Sequence, residues 1–158
     1  MSSRSQKTVS YQDTIEVRDH CLCLHVQRAA RVLARRFDEA FRPLHLTNGQ
    51  FSLLMSLNRP GVVPMAAVAK LLAMDRTTLT AALKLLQQRG LITVTADAND
   101  RRARLLTLTS EGMALLQEAL PIWRSLHGEI ERTLPSEGDE LRAGLQAITG
   151  SESLCKEA

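Results

Sequence analysis

The feature that most constrains this chain is a helix that cannot extend past either of its ends. Asp75 can accept a bond from an orphan N–H of a first turn, and Gly90 tolerates the positive φ that stops a helix. Between them Leu79, Ala82, Leu83 and Leu86 recur at spacings of three and four and make one apolar face. The opposite face carries Thr77, Thr80, Ala81, Lys84 and Gln88. It is short, uncharged at its start and rich in hydroxyls. Such a face suits a DNA major groove, with Thr77, Thr78 and Thr80 reaching base edges or phosphates and Lys84 supplying charge. An ordinary amphipathic surface helix would share these features.

The residues beyond Gly90 separate the two readings. Residues 91–95 (Leu-Ile-Thr-Val-Thr) alternate and are β-branched, residues 96–104 are polar and charged, and residues 105–108 return as a second strand. The hairpin tip reads Asp97-Ala98-Asn99-Asp100-Arg101-Arg102-Ala103-Arg104, and three arginines on a projecting loop have no core to serve. A helix followed by a two-stranded wing is the winged helix-turn-helix arrangement, with the helix for the major groove and the wing for the backbone or minor groove. A wing built to bind protein would show apolar residues at this tip, and a protein-interaction module is therefore the rival reading.

The run from Asp97 through Thr109-Ser110-Glu111-Gly112, with Asp75-Arg76-Thr77-Thr78-Leu79-Thr80 and Gly90-Leu91-Ile92 before it, resembles the wing signature and recognition helix of the MarR (multiple antibiotic resistance regulator) family of bacterial transcription factors. The resemblance covers residues 19–148. It implies that Arg102 enters the minor groove and that Asp100 orients it; Arg101 and Arg104 are the other two arginines of the basic tip. One departure is Ala81, where the family often carries an arginine. Base contact would then lean on Thr77, Thr78, Thr80 and Lys84.

The remaining sequence accommodates this fold class, mainly α with a small β-wing. Residues 1–10 are polar and expected to be mobile, and residues 11–18 form a transition, so that 1–18 precede the domain proper. Residues 19–42 predict a long helix, with Leu22, Val26, Ala29, Ala30, Leu33, Phe37, Ala40 and Phe41 at helical spacing and Arg28, Arg31, Arg35 and Arg36 on a solvated side. Thr47 and Gln50 form a capping box for a helix over 48–58, and Arg59-Pro60-Gly61 is a turn. A short helix over 64–72 takes Pro64 in its first turn. After the wing, Thr109 caps a helix over 110–134 that Pro121 should kink. A last helix starts at Pro135 or Ser136 and ends at Ile148, leaving residues 150–158 as a tail.

The winged helix thus spans about 47–108, within a domain at 19–149. The flanking helices at 19–42 and 110–148 carry more apolar surface than the winged part can cover. By the resemblance they interlock with a two-fold mate, Leu22, Val26, Leu141, Leu145 and Ile148 lying at or near the dimer interface. Two recognition helices would then sit roughly 34 Å apart on a pseudo-palindromic operator.

Composition is compatible with this but does not establish it. Twenty Lys and Arg against seventeen acids is a small excess, so the concentration of arginine at the wing, not net charge, points to nucleic acid. No apolar run approaches the roughly 18 residues of a membrane helix, and the polar, Ser-rich start has no apolar signal region. The expectation is a soluble cytoplasmic protein without membrane contact. Three cysteines make no disulfide framework. The eight glycines are scattered and the histidines lack partners at motif spacing, so no enzyme and no cofactor are expected.

The signal that would release DNA is less constrained. Within His20-Cys21-Leu22-Cys23-Leu24-His25, a continuous helix would point Cys21 and Cys23 about 200° apart, excluding a shared metal ion or an unstrained disulfide unless the helix start unwinds. No metal site is assigned, although Cys21 and His25 are an i, i+4 pair. The resemblance extends to a peroxide-sensing branch whose reactive cysteine falls at Cys23. The tyrosines that bond that thiolate fall at Gln27 and Phe37, so Cys23 also reads as an inert small hydrophobe on the apolar stripe. The commoner effector in the family is a small molecule, for which His25, Arg28, Trp123 and His127 are pocket candidates and an aromatic carboxylate a fitting ligand. Trp123 could equally be packing.

Overall fold

The structure, a computed structural model, describes residues 8–100, 102–135 and 138–150. It contains seven α-helices among the described residues, α1 (Tyr11–His20), α2 (Leu22–Phe41), α3 (Asn48–Ser56), α4 (Met65–Leu71), α5 (Arg76–Gln88), α6 (Ser110–Glu131) and α7 (Gly138–Thr149). A three-stranded antiparallel sheet, β1 (Val63–Pro64), β2 (Ile92–Ala96) and β3 (Arg104–Leu108), is ordered β1-β3-β2. The described residues form two compact units, one up to Arg36 and one from Phe37 onward.

In the first unit, residues 11–18 are helix rather than a transition. Ser10 caps α1, accepting from the Asp13 N–H while the Asp13 carboxylate accepts from the Ser10 N–H and hydroxyl. The Ser-x-x-Asp spacing that produces this box is visible in the sequence. The predicted long helix over 19–42 is in fact interrupted. Cys21 leaves helical geometry (φ −73°, ψ 103°), and α2 starts at Leu22. His25 and His20 place ring nitrogens 3.2 and 3.0 Å from the Asp19 and Glu16 carbonyl oxygens, holding side chains across and along this break. The stripe expected on α2 is solvent-facing in this chain at Leu22, Cys23, Val26, Ala29, Ala30 and Leu33.

The second unit holds the core. Phe37 and Phe41, the last turn of α2, stack in series with Phe51 of α3, at centroid separations of 5.9 and 4.9 Å. Leu54, Leu57, Val63, Val68, Leu79, Leu83, Leu86, Ile92, Leu106 and Leu116 complete a cluster that joins α3, α4, α5, the sheet and the first half of α6. The Thr47/Gln50 capping box forms as predicted, and Asp38 adds a second acceptor by taking the Asn48 N–H at 2.7 Å. Helix α3 ends at Ser56, two residues before the predicted stop.

Two corrections concern strand β1. Pro64 is the N-cap of α4, not its first turn, and Val63 and Pro64 pair with Leu106 and Leu105, so the predicted two-stranded wing is a three-stranded sheet. A two-residue strand has no periodicity to read; it exists because Val63 is buried opposite Leu106. Between α4 and α5 the chain turns at Ala73, held at φ 50°.

Thr109 joins the exit of α5 to the start of α6. Its oxygen accepts the Gly112 N–H at 3.0 Å while its hydroxyl donates to the Gly90 carbonyl at 2.7 Å. Gly112 lies where a Cβ would overlap the Leu91 carbonyl oxygen and the Leu108 side chain, so this helix start can approach the strands only as glycine. Helix α6 continues through Pro121 to Glu131, three residues short of prediction. Helix α7 starts at Gly138, not at Pro135; the alternative start at Ser136 lies outside the described residues, as does the tail from 151. Arg142 of α7 bridges Glu131 of α6 and Asp139, both at 2.6 Å.

Candidate nucleic-acid interface

The cap of α5 forms as its sequence requires. Asp75 Oδ1 accepts the Thr78 N–H at 2.9 Å and Oδ2 accepts the Thr78 hydroxyl at 2.6 Å. These bonds, the hydroxyl's first, hold the Asp75 carboxyl below its ordinary value. Gly90 sits at φ 72°, and its N–H donates to Gln87. Leu79, Leu83 and Leu86 are buried, while Arg76, Thr77, Thr80, Ala81, Lys84 and Gln88 are exposed, as the periodicity predicts.

The wing tip is folded by its own aspartates. Asp97 accepts the Asn99 N–H at 2.8 Å, and Asp100 accepts the Arg102 N–H at 2.9 Å while its carbonyl takes the Ala103 N–H at 2.9 Å. These are Asx-type turns, in which a short carboxylate replaces a backbone acceptor. Asp100 therefore acts on Arg102 through the backbone of the turn and not through a guanidinium contact. Arg102 is exposed. Arg104 begins β3 opposite Ala96 and donates to the Ala103 carbonyl. Arg101 lies outside the described residues.

Between α5 and the wing the surface forms two clefts. One, of about 410 Å³, has an apolar floor that includes Pro64, Met65, Ala69 and Leu79, with Arg76, Asp100, Arg102 and Arg104 around it. The second, of about 320 Å³, gathers Arg76, Thr80, Lys84 and Arg104. The structure thus brings the helix residues Thr80 and Lys84 and the wing residues Arg102 and Arg104 onto one side of the second unit. Sequence reasoning missed Arg76, which lines both clefts. Its position directly after the cap Asp75, in the first turn of the helix, was the available signal. Four cations around these clefts suit a polyanion's backbone.

Two threonines differ from expectation. The hydroxyl of Thr78 is committed to Asp75 and that of Thr80 to the Arg76 carbonyl at 2.7 Å, so neither donates outward. Thr77 has no hydroxyl partner among the described residues.

The residues weighed for sensing fall on both units. Trp123 and His127 of α6 stack at 4.5 Å, with the His127 Nε2 atom 3.6 Å from Glu131, and Trp123 packs against the edge of the core. Arg28 is exposed on α2, and His25 is engaged with the Asp19 carbonyl. Cys23 is exposed instead of lying on a buried stripe, and its sulfur accepts from the Gln27 amide at 3.1 Å; Gln27 in turn accepts from Arg31 at 3.0 Å. The donor inferred to be missing at position 27 is thus supplied by an amide. Because Cys21 lies in the break between α1 and α2, the 200° argument against pairing it with Cys23 does not apply.

Comparison with known proteins places these features in a wider set. The sequence model of the MarR family matches residues 46–103, which hold α3, α4, α5, β2 and the wing loop. The organic hydroperoxide resistance transcriptional regulator of Bacillus subtilis is 29% identical over 101 residues, 64% of this chain and 69% of that protein. Among solved structures, the M. tuberculosis transcriptional regulator MosR in complex with DNA is similar at 34% identity and a TM-score of 0.76, over 83% of this chain and 95% of that one. BpsR of Bordetella bronchiseptica, whose DNA binding is regulated by 6-hydroxynicotinic acid, matches at 27% identity and a TM-score of 0.74, over 84% and 96%. Among the described residues no helix is long and apolar enough to cross a membrane.

Proposed function

The chain belongs to the MarR family of transcriptional regulators, and from that premise we propose that it is a homodimeric repressor that binds a pseudo-palindromic operator in double-stranded DNA. The observation that carries this reading is the gathering of Thr80 and Lys84 with Arg76, Arg102 and Arg104 around the clefts between α5 and the wing. Helix α5 enters the major groove by the exposed face that carries Thr77, Thr78, Thr80 and Lys84, and the wing lays Arg102 into the flanking minor groove, Arg101 and Arg104 adding charge. The exposed apolar residues Leu22 and Val26 of α2 and Leu141, Leu145 and Ile148 of α7 belong to the dimer contact. The protein acts in the cytoplasm and has no catalytic role.

Hydroxyl-radical footprinting on a genomic fragment that the protein retains tests this. Two protected half-sites about one helical turn apart are expected, with flanking minor-groove protection that Arg102→Ala removes. One unsplit footprint, or flanks unchanged in the variant, contradicts the arrangement.

Release occurs when an effector favours a dimer whose recognition helices no longer match the half-sites. An aromatic carboxylate is the first effector class, for which His25, Arg28, Trp123 and His127 are the candidate residues. A thiol signal is the second, favoured by the amide that Gln27 directs at the Cys23 sulfur. A hydroperoxide would oxidise that thiol to a sulfenic acid and be reduced to the alcohol. Treatment of the protein–DNA complex with an organic hydroperoxide separates them: release lost in Cys23→Ser supports the thiol route, and release absent in the wild type rejects it.

A further inference from the structure

A Thr hydroxyl has one proton, and once that proton is given away the side chain offers a partner only acceptor lone pairs and a methyl group. On the first two turns of α5 this has happened twice. Thr78 gives its proton to Asp75 Oδ2 at 2.6 Å, and Thr80 gives its own to the Arg76 carbonyl at 2.7 Å. Ala81, exposed beside Thr80, has a methyl group and nothing else. Arg76 lines the clefts toward the wing. Lys84 and Gln88 stand one and two turns further along. At Thr78, Thr80 and Ala81 the face therefore offers methyl groups and acceptor lone pairs, its donors being left to Arg76, Thr77, Lys84 and Gln88. In a major groove the methyl groups of such a face match the 5-methyl of thymine and its acceptor lone pairs match the amino groups of adenine and cytosine, whereas the guanine edge asks for donors and gives no apolar contact.

We propose that α5 reads its operator through methyl contacts, Thr80 and Ala81 packing on the 5-methyl groups of thymines, with Thr77 the one hydroxyl of the first two turns free to donate to a base edge. This rests on the DNA-binding reading above and specifies which bases that binding selects.

The full chain selected against a pool of randomised duplexes at physiological salt gives the test. Half-sites enriched in thymine at the positions facing α5 are expected. Replacing each such thymine by deoxyuridine removes only the methyl group and should weaken binding about four-fold per contact, read by fluorescence anisotropy. Thr80→Ser, which keeps the hydroxyl and loses the methyl, should show that same loss on thymine and no further loss on deoxyuridine at the base it covers. Thr80→Val, which keeps the methyl and loses the hydroxyl, should bind like the wild type, with thermal melting confirming that both variants fold. Enriched sites that bind equally well as deoxyuridine duplexes, or Thr80→Val binding as poorly as Thr80→Ser, would overturn methyl readout and leave the regulator reading standing. A pool that enriches no sequence would overturn both.

Discussion

Asp100 spends its carboxylate on the Arg102 N–H, so its effect on DNA must pass through the shape of the turn. Asn can make the same turn and Ala cannot. Asp100→Asn should therefore bind DNA like the wild type, whereas Asp100→Ala should bind more weakly with an unchanged melting temperature; equal affinity for both variants in an anisotropy titration would show that the turn does not position the arginine. Asp75 presents the complementary case of a charge used locally. Its carboxyl is held below its ordinary value by the Thr78 hydroxyl and N–H, so its contribution to the fold is present above the unfolded carboxylate's pKa and is lost as pH falls through the lower folded value. Acid melts should show part of the wild type's sensitivity below about pH 4 missing in Asp75→Asn, which keeps a capping oxygen without the titration. The positions of these side chains are legible in the sequence, because capping and turn formation act over two or three residues. The destinations of hydroxyl protons are not, and this is why the sequence alone presents Thr78 and Thr80 as outward donors.

The elements differ in how much of their origin is local. Helix α5 is bounded by Asp75 and Gly90 and buried by its own period, and its limits can be read from the sequence. The break at Cys21 is hidden because neither a proline nor a glycine marks it in the sequence. Strand β1 is invisible before folding, since only its pairing with β3 makes it a strand. The turn between α4 and α5 holds Ala73 at φ 50°, a conformation that costs a non-glycine residue about 1 kcal/mol or more. Ala73→Gly relieves that strain while adding freedom to the unfolded chain, and the net expected is a stabilisation of about 0.5–1 kcal/mol by chemical denaturation; a destabilised variant would show that the turn is unstrained. Thr109 caps α6 and donates to the Gly90 carbonyl in one geometry. Thr109→Ala should cost about 1–2 kcal/mol in the same assay.

At the scale of the whole molecule, the second unit is a closed core with a basic face, while the exposed apolar residues of α2 and α7 await a partner. That surplus is readable from the sequence as apolar spacing on helices with nothing left to cover them. What the sequence could not supply is the gathering of Arg76 with the wing residues, since they lie 26 and 28 positions apart in the chain and meet only because the sheet folds back over α4 and α5. Binding by such a face is a matter of phosphate neutralisation, so its central signature is ionic-strength dependence. The most direct measurement is a fluorescence-anisotropy salt titration of the wild type and Arg102→Ala on one footprinted duplex. A steep linear fall of log affinity with log salt is predicted for the wild type. For the variant the prediction is an affinity about ten-fold weaker and a slope shallower by about one unit. Identical affinities and slopes would contradict the role given to the wing, and a duplex bound by neither protein would contradict the regulator itself.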